Sequence, residues 1–182
     1  NQNFLKSLKE KDLLSGLGEM AHYYYLSDKN EFNFFTKNIH SYFDKKNIEL
    51  DKMIKKSLKI KQTFIEKDEL EKNIRIYLNY GHSFGHAIEA ISNFKIPHGI
   101  AVCFGLQIAN YISFRLGFLS LDQLFTLQKP LKLISKNYNL KKYNELEMIK
   151  ILKKDKKTIN NKIRLILIKN IGKPFIKKFE KD

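Results

Sequence analysis

Asn79-Tyr80-Gly81-His82-Ser83-Phe84-Gly85-His86-Ala87-Ile88-Glu89-Ala90, followed shortly by Pro97-His98-Gly99, is the stretch on which the reading of this chain turns. Three of the five histidines fall within these twenty residues. His82 and His86 are four apart, so a helix places both imidazoles on one face. His98 begins what reads as a second helix, behind a proline that stops the connection. Imidazole is the commonest protein ligand for zinc and related ions, and histidines on two facing helices can converge on one ion.

Outward from this stretch, most of the chain reads as helix. Asp12 to Leu26 carries Leu13, Leu14, Leu17, Met20 and Ala21 at helical spacing. Asn30 is the expected cap of a helix with Phe32, Phe34, Phe35, Ile39 and Phe43 on its apolar face. Glu49 to Phe64 repeats the pattern, and Lys67 to Glu71 is a charged break. Ile76 to Ser92 and Ile100 to Leu116 read as two apolar helices around the histidines, with Gly117 as a stop. Pro130 is expected to start or kink the next helix, and Glu145 to Lys154 is a further short one. Ile163 to Ile168 is the convincing strand, ended by Gly172 and Pro174. There is no internal repeat and no Gly/Ser linker, so the expectation is one mostly helical domain.

Composition narrows the class. The 182 residues suffice for one domain with a real core. An apolar fraction of 43% with 13% aromatics indicates a globular domain and not disorder. No apolar run approaches the ~20 residues needed to cross a bilayer, and no secretory signal is evident. The single cysteine, Cys103, cannot form an internal disulfide, and a reducing cytoplasm is the expected location. On an apolar helix face, Cys103 is expected to be an inert buried thiol. The net charge of +15 suggests a polyanion partner. Against that, only Arg75, Arg115 and Arg164 are arginines, and the lysines are spread along the whole chain. Nucleic-acid readers lean on arginine for bidentate contacts, so a solvated lysine surface is the better reading. Neither nucleic acid nor membrane is expected as a partner.

At these residues the chain resembles the C-terminal, metal-binding domain of the dehydroquinate synthase family of sugar phosphate cyclases. The family's Gly-His-Thr-Phe-Gly-His-Ala-Ile-Glu segment stands here as Gly81 to Glu89, with Ser83 for Thr, after Asn79. Its second His-Gly pair is His98-Gly99, and its Gly-Leu-Ala-Glu element is Gly16-Leu17-Gly18-Glu19. Its acidic element runs from Asp68 to Arg75, and its Asp-Lys-Lys is Asp155-Lys156-Lys157, followed by a strand and Ile171-Gly172. Five elements in order across nearly the whole chain make the match specific.

The resemblance implies a mainly α, helical bundle-like domain with at most a short strand pair near the C-terminus. It implies a metal site of Glu19, His82 and His98, normally zinc or another divalent ion. One carboxylate and two imidazoles leave coordination positions open, as a catalytic site requires. It also implies NAD as the cofactor of the full-length enzyme, a phosphorylated sugar or sugar-acid substrate, and a homodimer. His86, Lys61 and Glu71 take catalytic positions by the same carry-over, with His86 near the leaving phosphate. Arg75 and Asn79 bind substrate, and one of Lys156 and Lys157 reaches the phosphate.

The chain departs from the family in places. His22 stands where the family has lysine three residues after the metal-binding glutamate. It would be a metal ligand, a titrating substrate-binding replacement for the lysine, or a neutral spectator. His-Gly-Glu becomes His98-Gly99-Ile100, which removes a carboxylate beside the ligand, and Asn73 replaces a glycine. No Gly-x-Gly-x-x-Gly follows a strand and no alternating βαβ pattern precedes Glu19. The expectation is therefore the second half of the enzyme, without the NAD domain, starting at Asn1 as a piece or processed form of a longer protein. Alone it is expected to bind metal and not to turn over. Two other readings stand beside it: a metal- and NAD-dependent polyol dehydrogenase of the iron-type alcohol dehydrogenase group, and a non-catalytic basic helical binding domain.

Overall fold

A computed structural model describes residues 5, 7–44, 46, 48–140, 143–154 and 162–180. Among the described residues the order is α1 (Glu10–Leu26), α2 (Lys29–Phe43), α3 (Leu50–Lys67), a 3-10 segment (Ile74–Asn79), α4 (His82–Ile91), α5 (His98–Arg115), α6 (Leu121–Ser135), α7 (Glu145–Lys154) and a β1–β2 hairpin (Lys162–Ile168 and Pro174–Glu180). The mainly α expectation holds, with one short antiparallel strand pair at the C-terminal end.

Helix α5 is the axis of the fold. Ile100, Ala101, Val102, Cys103, Leu106 and Ala109 are all buried, so its apolar residues run right round it, as in a helix enclosed by others. It packs against α1, α4, α6 and β1. Tyrosines of α1 tie the outer helices down. The Tyr24 hydroxyl donates to the Met53 carbonyl of α3 at 2.7 Å, and the Tyr25 hydroxyl donates to the Leu127 carbonyl of α6. Tyr24 also stacks on Phe35 of α2, with ring centroids 4.8 Å apart. These aromatics are core and not a base-stacking platform. The hairpin is docked by two hydrogen bonds, Gly172 N to Tyr25 O at 3.0 Å and Ile168 N to Ser113 Oγ at 3.2 Å.

Three boundaries differ from the sequence expectation. The stretch from Ile76 to Ser92 is not one helix. Gly81 adopts φ +80°, which breaks the chain between the 3-10 segment and α4. A Cβ there would also lie 2.8 Å from Leu106 Cγ. Helix α2 is capped by Asp28 and not Asn30, because the Asp28 carboxylate accepts from the amides of both Asn30 and Glu31. Of the two expectations for Pro130, a start or a kink, the start does not hold. A capping box of Ser120 and Gln123 starts the helix earlier and Pro130 lies inside it. The expected strand does end ahead of Gly172, at Ile168, and a second strand follows it. Gly172, at φ +69°, turns the chain, and Pro174 opens β2, pairing with Ile168.

Candidate metal centre

Three elements deliver the side chains. Helix α1 carries Glu19, and α4 and α5 carry His82 and His98 as their first residues. Helices α1 and α5 come unusually close at two glycines, and the Ser15 hydroxyl accepts from the otherwise uncapped Gly99 amide at 3.0 Å. Glu19 is thereby brought to the start of α5.

Glu19 Oε2 lies 3.5 Å from His82 Nε2 and 3.4 Å from His98 Nε2. One ligand atom from each residue lies within 4.8 Å of the others. Glu19 Oε2 is buried and makes no hydrogen bond within the protein. An ion with bonds of about 2.0–2.2 Å to tetrahedral N and O ligands spaces those ligands about 3.3–3.6 Å apart. An orphaned buried carboxylate oxygen between two imidazole nitrogens at that spacing fits such an ion. Burial alone would raise the Glu19 carboxyl, but the neighbouring His82 and His98 outweigh it and hold it well below the usual carboxylate range. The same contact with Glu19, aided by Glu89 and opposed by burial, raises His98 to about 9.

Each of the three candidate ligands has an outer partner. The Tyr23 hydroxyl donates to Glu19 Oε1 at 3.4 Å, and the Tyr80 carbonyl faces His82 Nδ1 at 3.3 Å. Glu89 Oε2 faces His98 Nδ1 at 3.0 Å. Glu89 follows His82 by seven residues, two helical turns, so the i, i+4, i+7 spacing of His82, His86 and Glu89 was visible in the sequence. What it faces was not.

His86 belongs to the same cluster, its ring centroid 5.9 Å from those of both His82 and His98. A second trio of potential ligands, His86, Glu89 and His98, shares His98 with the first and is an extension of one site. Lys61 on α3 places its Nζ 5.8 Å from the Tyr23 ring centroid, and both residues line a cavity of about 330 Å³ together with Glu19. Glu71, Arg75 and Asn79 group in the segment that packs on α3 and α1. Asn79 Nδ2 donates to Glu71 Oε1 at 2.9 Å, and Arg75 Nη1 donates to the Glu69 carbonyl at 2.6 Å. Glu71 holds a left-handed backbone at φ 54°. The buried Asp68 carboxylate organises this segment by accepting from the amides of Lys72, Asn73 and Arg75 at 2.7–3.0 Å. Asp68 stood in the acidic element, but its anchoring role depends on the folded loop. Lys156 and Lys157 lie outside the described residues.

His22 is 1% exposed, its ring 4.7 Å from that of His82. Its Nδ1 has no hydrogen bond and sits 3.9 Å from Glu19 Oε1. Burial first, then repulsion from His82, pushes it down to about 3, so it is a neutral imidazole at physiological pH. This burial favours the neutral ring among the readings open for His22. Ile100, where the family has a carboxylate, is fully buried in the core.

A sequence model of the 3-dehydroquinate synthase C-terminal family matches residues 16–158. The chain is 39% identical over 171 residues to the 3-dehydroquinate synthase of Dictyoglomus thermophilum, covering 93% of this chain and 48% of that one. It is 38% identical over 170 residues to that of Campylobacter hominis, with coverage of 93% and 48%. The chain thus spans about half the length of these relatives. The fold is shared with 2-deoxy-scyllo-inosose synthase complexed with carbaglucose-6-phosphate, NAD+ and Co2+ (TM-score 0.80, 21% identity, 94% of this chain and 49% of that one). It is shared also with 2-epi-5-epi-valiolone synthase from Streptomyces hygroscopicus subsp. jinggangensis 5008 with NAD+ and Zn2+ bound (TM-score 0.84, 17% identity, 98% and 50%). With the family's model matched over most of this chain, and with relatives above one-third identity, the chain belongs to the 3-dehydroquinate synthase C-terminal family.

Proposed function

We propose that these residues form the metal- and substrate-binding half of a 3-dehydroquinate synthase-type cyclase, a carbon–oxygen lyase that eliminates phosphate from a sugar-acid phosphate such as a heptulosonate phosphate. The observation that carries the reading is the convergence of Glu19, His82 and His98 around an unsatisfied buried carboxylate oxygen. A divalent ion bound there, zinc by preference, supplies Lewis acidity to a substrate hydroxyl. NAD binds to the half of the relatives' length that this chain does not span, and the active site lies between the halves. Bound there, NAD would supply a reversible hydride acceptor for a substrate alcohol, and the resulting ketone would acidify the adjacent C–H ahead of phosphate loss.

The chain's own residues divide the work. His86 holds or relays a proton at the leaving phosphate, close to His82 and His98. Lys61 brings a cation to the cavity wall it shares with Glu19. Arg75 and Asn79 bind the substrate's acid and hydroxyl groups, and Glu71 holds Asn79 in place. Lys156 or Lys157 neutralises the phosphate. The isolated chain has no turnover of its own and acts as a homodimer with the NAD domain present. The 36–39% relatives named 3-dehydroquinate synthase favour a heptulosonate-type substrate over that of the polyol dehydrogenases.

The test is metal content of the purified chain by elemental mass spectrometry, with His82→Ala and His98→Ala alongside. About one zinc per chain, lost in both variants, supports the site. Full-length protein that then releases phosphate from the heptulosonate phosphate only with NAD present establishes the reaction. Zinc retained in both variants refutes the ligand set.

A further inference from the structure

We propose that Glu89 is a positioning residue: its carboxylate holds the His98 ring so that Nε2 presents a lone pair to the ion bound at Glu19 and His82. The proposal rests on the metal site above. The two nitrogens of His98 face two different carboxylates, Glu89 Oε2 at 3.0 Å from Nδ1 and Glu19 Oε2 at 3.4 Å from Nε2. A neutral imidazole donates from one nitrogen and accepts at the other. A proton held on Nδ1 by Glu89 therefore leaves Nε2 as the ligating atom. An outer carboxylate that fixes tautomer and ring orientation recurs at histidine-ligated metal sites.

The placement shows why His98 needs this help. His98 opens α5 directly after Pro97, with its side chain 43% exposed, so packing does little to hold the ring. His82 is only 13% exposed and also has the Tyr80 carbonyl behind it. Glu89 is itself only 14% exposed and sits two turns along α4 from His82. One helix thus supplies a ligand and the orienting group for a ligand on the next helix. Two rival roles fit the same contact: a clasp across the α4–α5 turn, and a direct ligand, since Glu89 also groups with His86 and His98.

The experiment compares the wild-type chain with Glu89→Gln, Glu89→Ala and His98→Ala. Cobalt(II) replaces zinc so that the visible d–d spectrum reports ligand geometry, and zinc affinity is measured by chelator competition. The positioning role predicts one ion per chain in both Glu89 variants, bound about 10- to 100-fold more weakly, with an altered cobalt spectrum. Glu89→Gln, whose amide oxygen can still accept from Nδ1–H, should lie closer to wild type than Glu89→Ala does. Wild-type affinity and spectrum in Glu89→Ala, with only a lowered melting temperature, would make Glu89 a clasp and overturn the proposal. So would a second ion in wild type, in excess metal, that Glu89→Ala loses. A wild-type chain that binds no cobalt at all would remove the metal site itself, an outcome distinct from either.

Discussion

Gly18 of α1 and Gly99 of α5 meet backbone to backbone: a Cβ on Gly18 would lie 2.2 Å from the Gly99 carbonyl oxygen, and one on Gly99 would lie 1.8 Å from the Ser15 carbonyl oxygen. No real Cβ tolerates such distances. The crossing places Glu19, the residue after Gly18, beside His98, the residue before Gly99.

Gly99→Ala should therefore separate the two helices and loosen the metal centre along with the core. Overpacking of this kind costs about 1–3 kcal/mol, more than the ~1 kcal/mol that alanine gains in a helix. Thermal denaturation should show a lowered midpoint, and chelator competition a weaker zinc affinity. Gly16→Ala is the control, because a Cβ there meets nothing within 4 Å. It should be neutral or stabilising. Equal behaviour of the two variants would contradict the close crossing.

With an ion at the proposed site, proton and metal would compete for His98. In the metal-free chain its folded value is raised from 6.5 to about 9, so the stabilisation from the charged imidazole is complete below pH 6.5 and is lost as pH rises to about 9. His22 titrates in the opposite sense, being lowered to about 3, and so affects stability only below 6.5. Between pH 6.5 and 9 the metal-free chain should become less stable, while zinc affinity should rise by up to about tenfold per pH unit for the one proton displaced. Urea denaturation and zinc competition across that window check both signs, and a pH-independent zinc affinity would contradict the assignment of His98.

Removing His22 should leave the metal in place. His22→Leu deletes a buried, unpartnered Nδ1 and substitutes apolar volume, a change that can be neutral or stabilising. Zinc stoichiometry should stay unchanged. Loss of zinc in this variant would instead make His22 a fourth ligand.

The hydroxyl of Tyr80 donates to Asn110 Oδ1 in a fully buried pair, directly before the Gly81 turn. Tyr80→Phe strands the Asn110 oxygen and should cost about 1–3 kcal/mol. Because His82 is oriented by the Tyr80 backbone carbonyl and not by the ring, zinc affinity should fall much less than stability. A denaturation curve and a zinc titration on the same sample separate the two effects.

Much of this was legible from residue order. The histidine spacing marked α4 and the start of α5, the apolar periodicity marked the helices, and the family's motif pointed to Glu19, which the fold brings beside His82 and His98. Cys103 was expected to be an inert buried thiol, and burial does raise it strongly. The two-helix split at Gly81 was harder. Apolar residues flank it on both sides, and the left-handed backbone at Gly81 and its close approach to Leu106 emerge only in the folded chain.

Residue order alone marked most of the helices and the residue types a metal centre could draw on. Helix periodicity and capping act within about one turn of chain, so they can be read locally. The tertiary structure alone decided which faces meet. It buried His22 as a neutral ring, gave Asp68 three amides to hold, turned Glu89 toward Nδ1 of His98, and closed Gly18 onto Gly99. Each of these pairs or joins groups on different elements or across a loop, and their contact depends on the packing of the whole core, which no local pattern encodes.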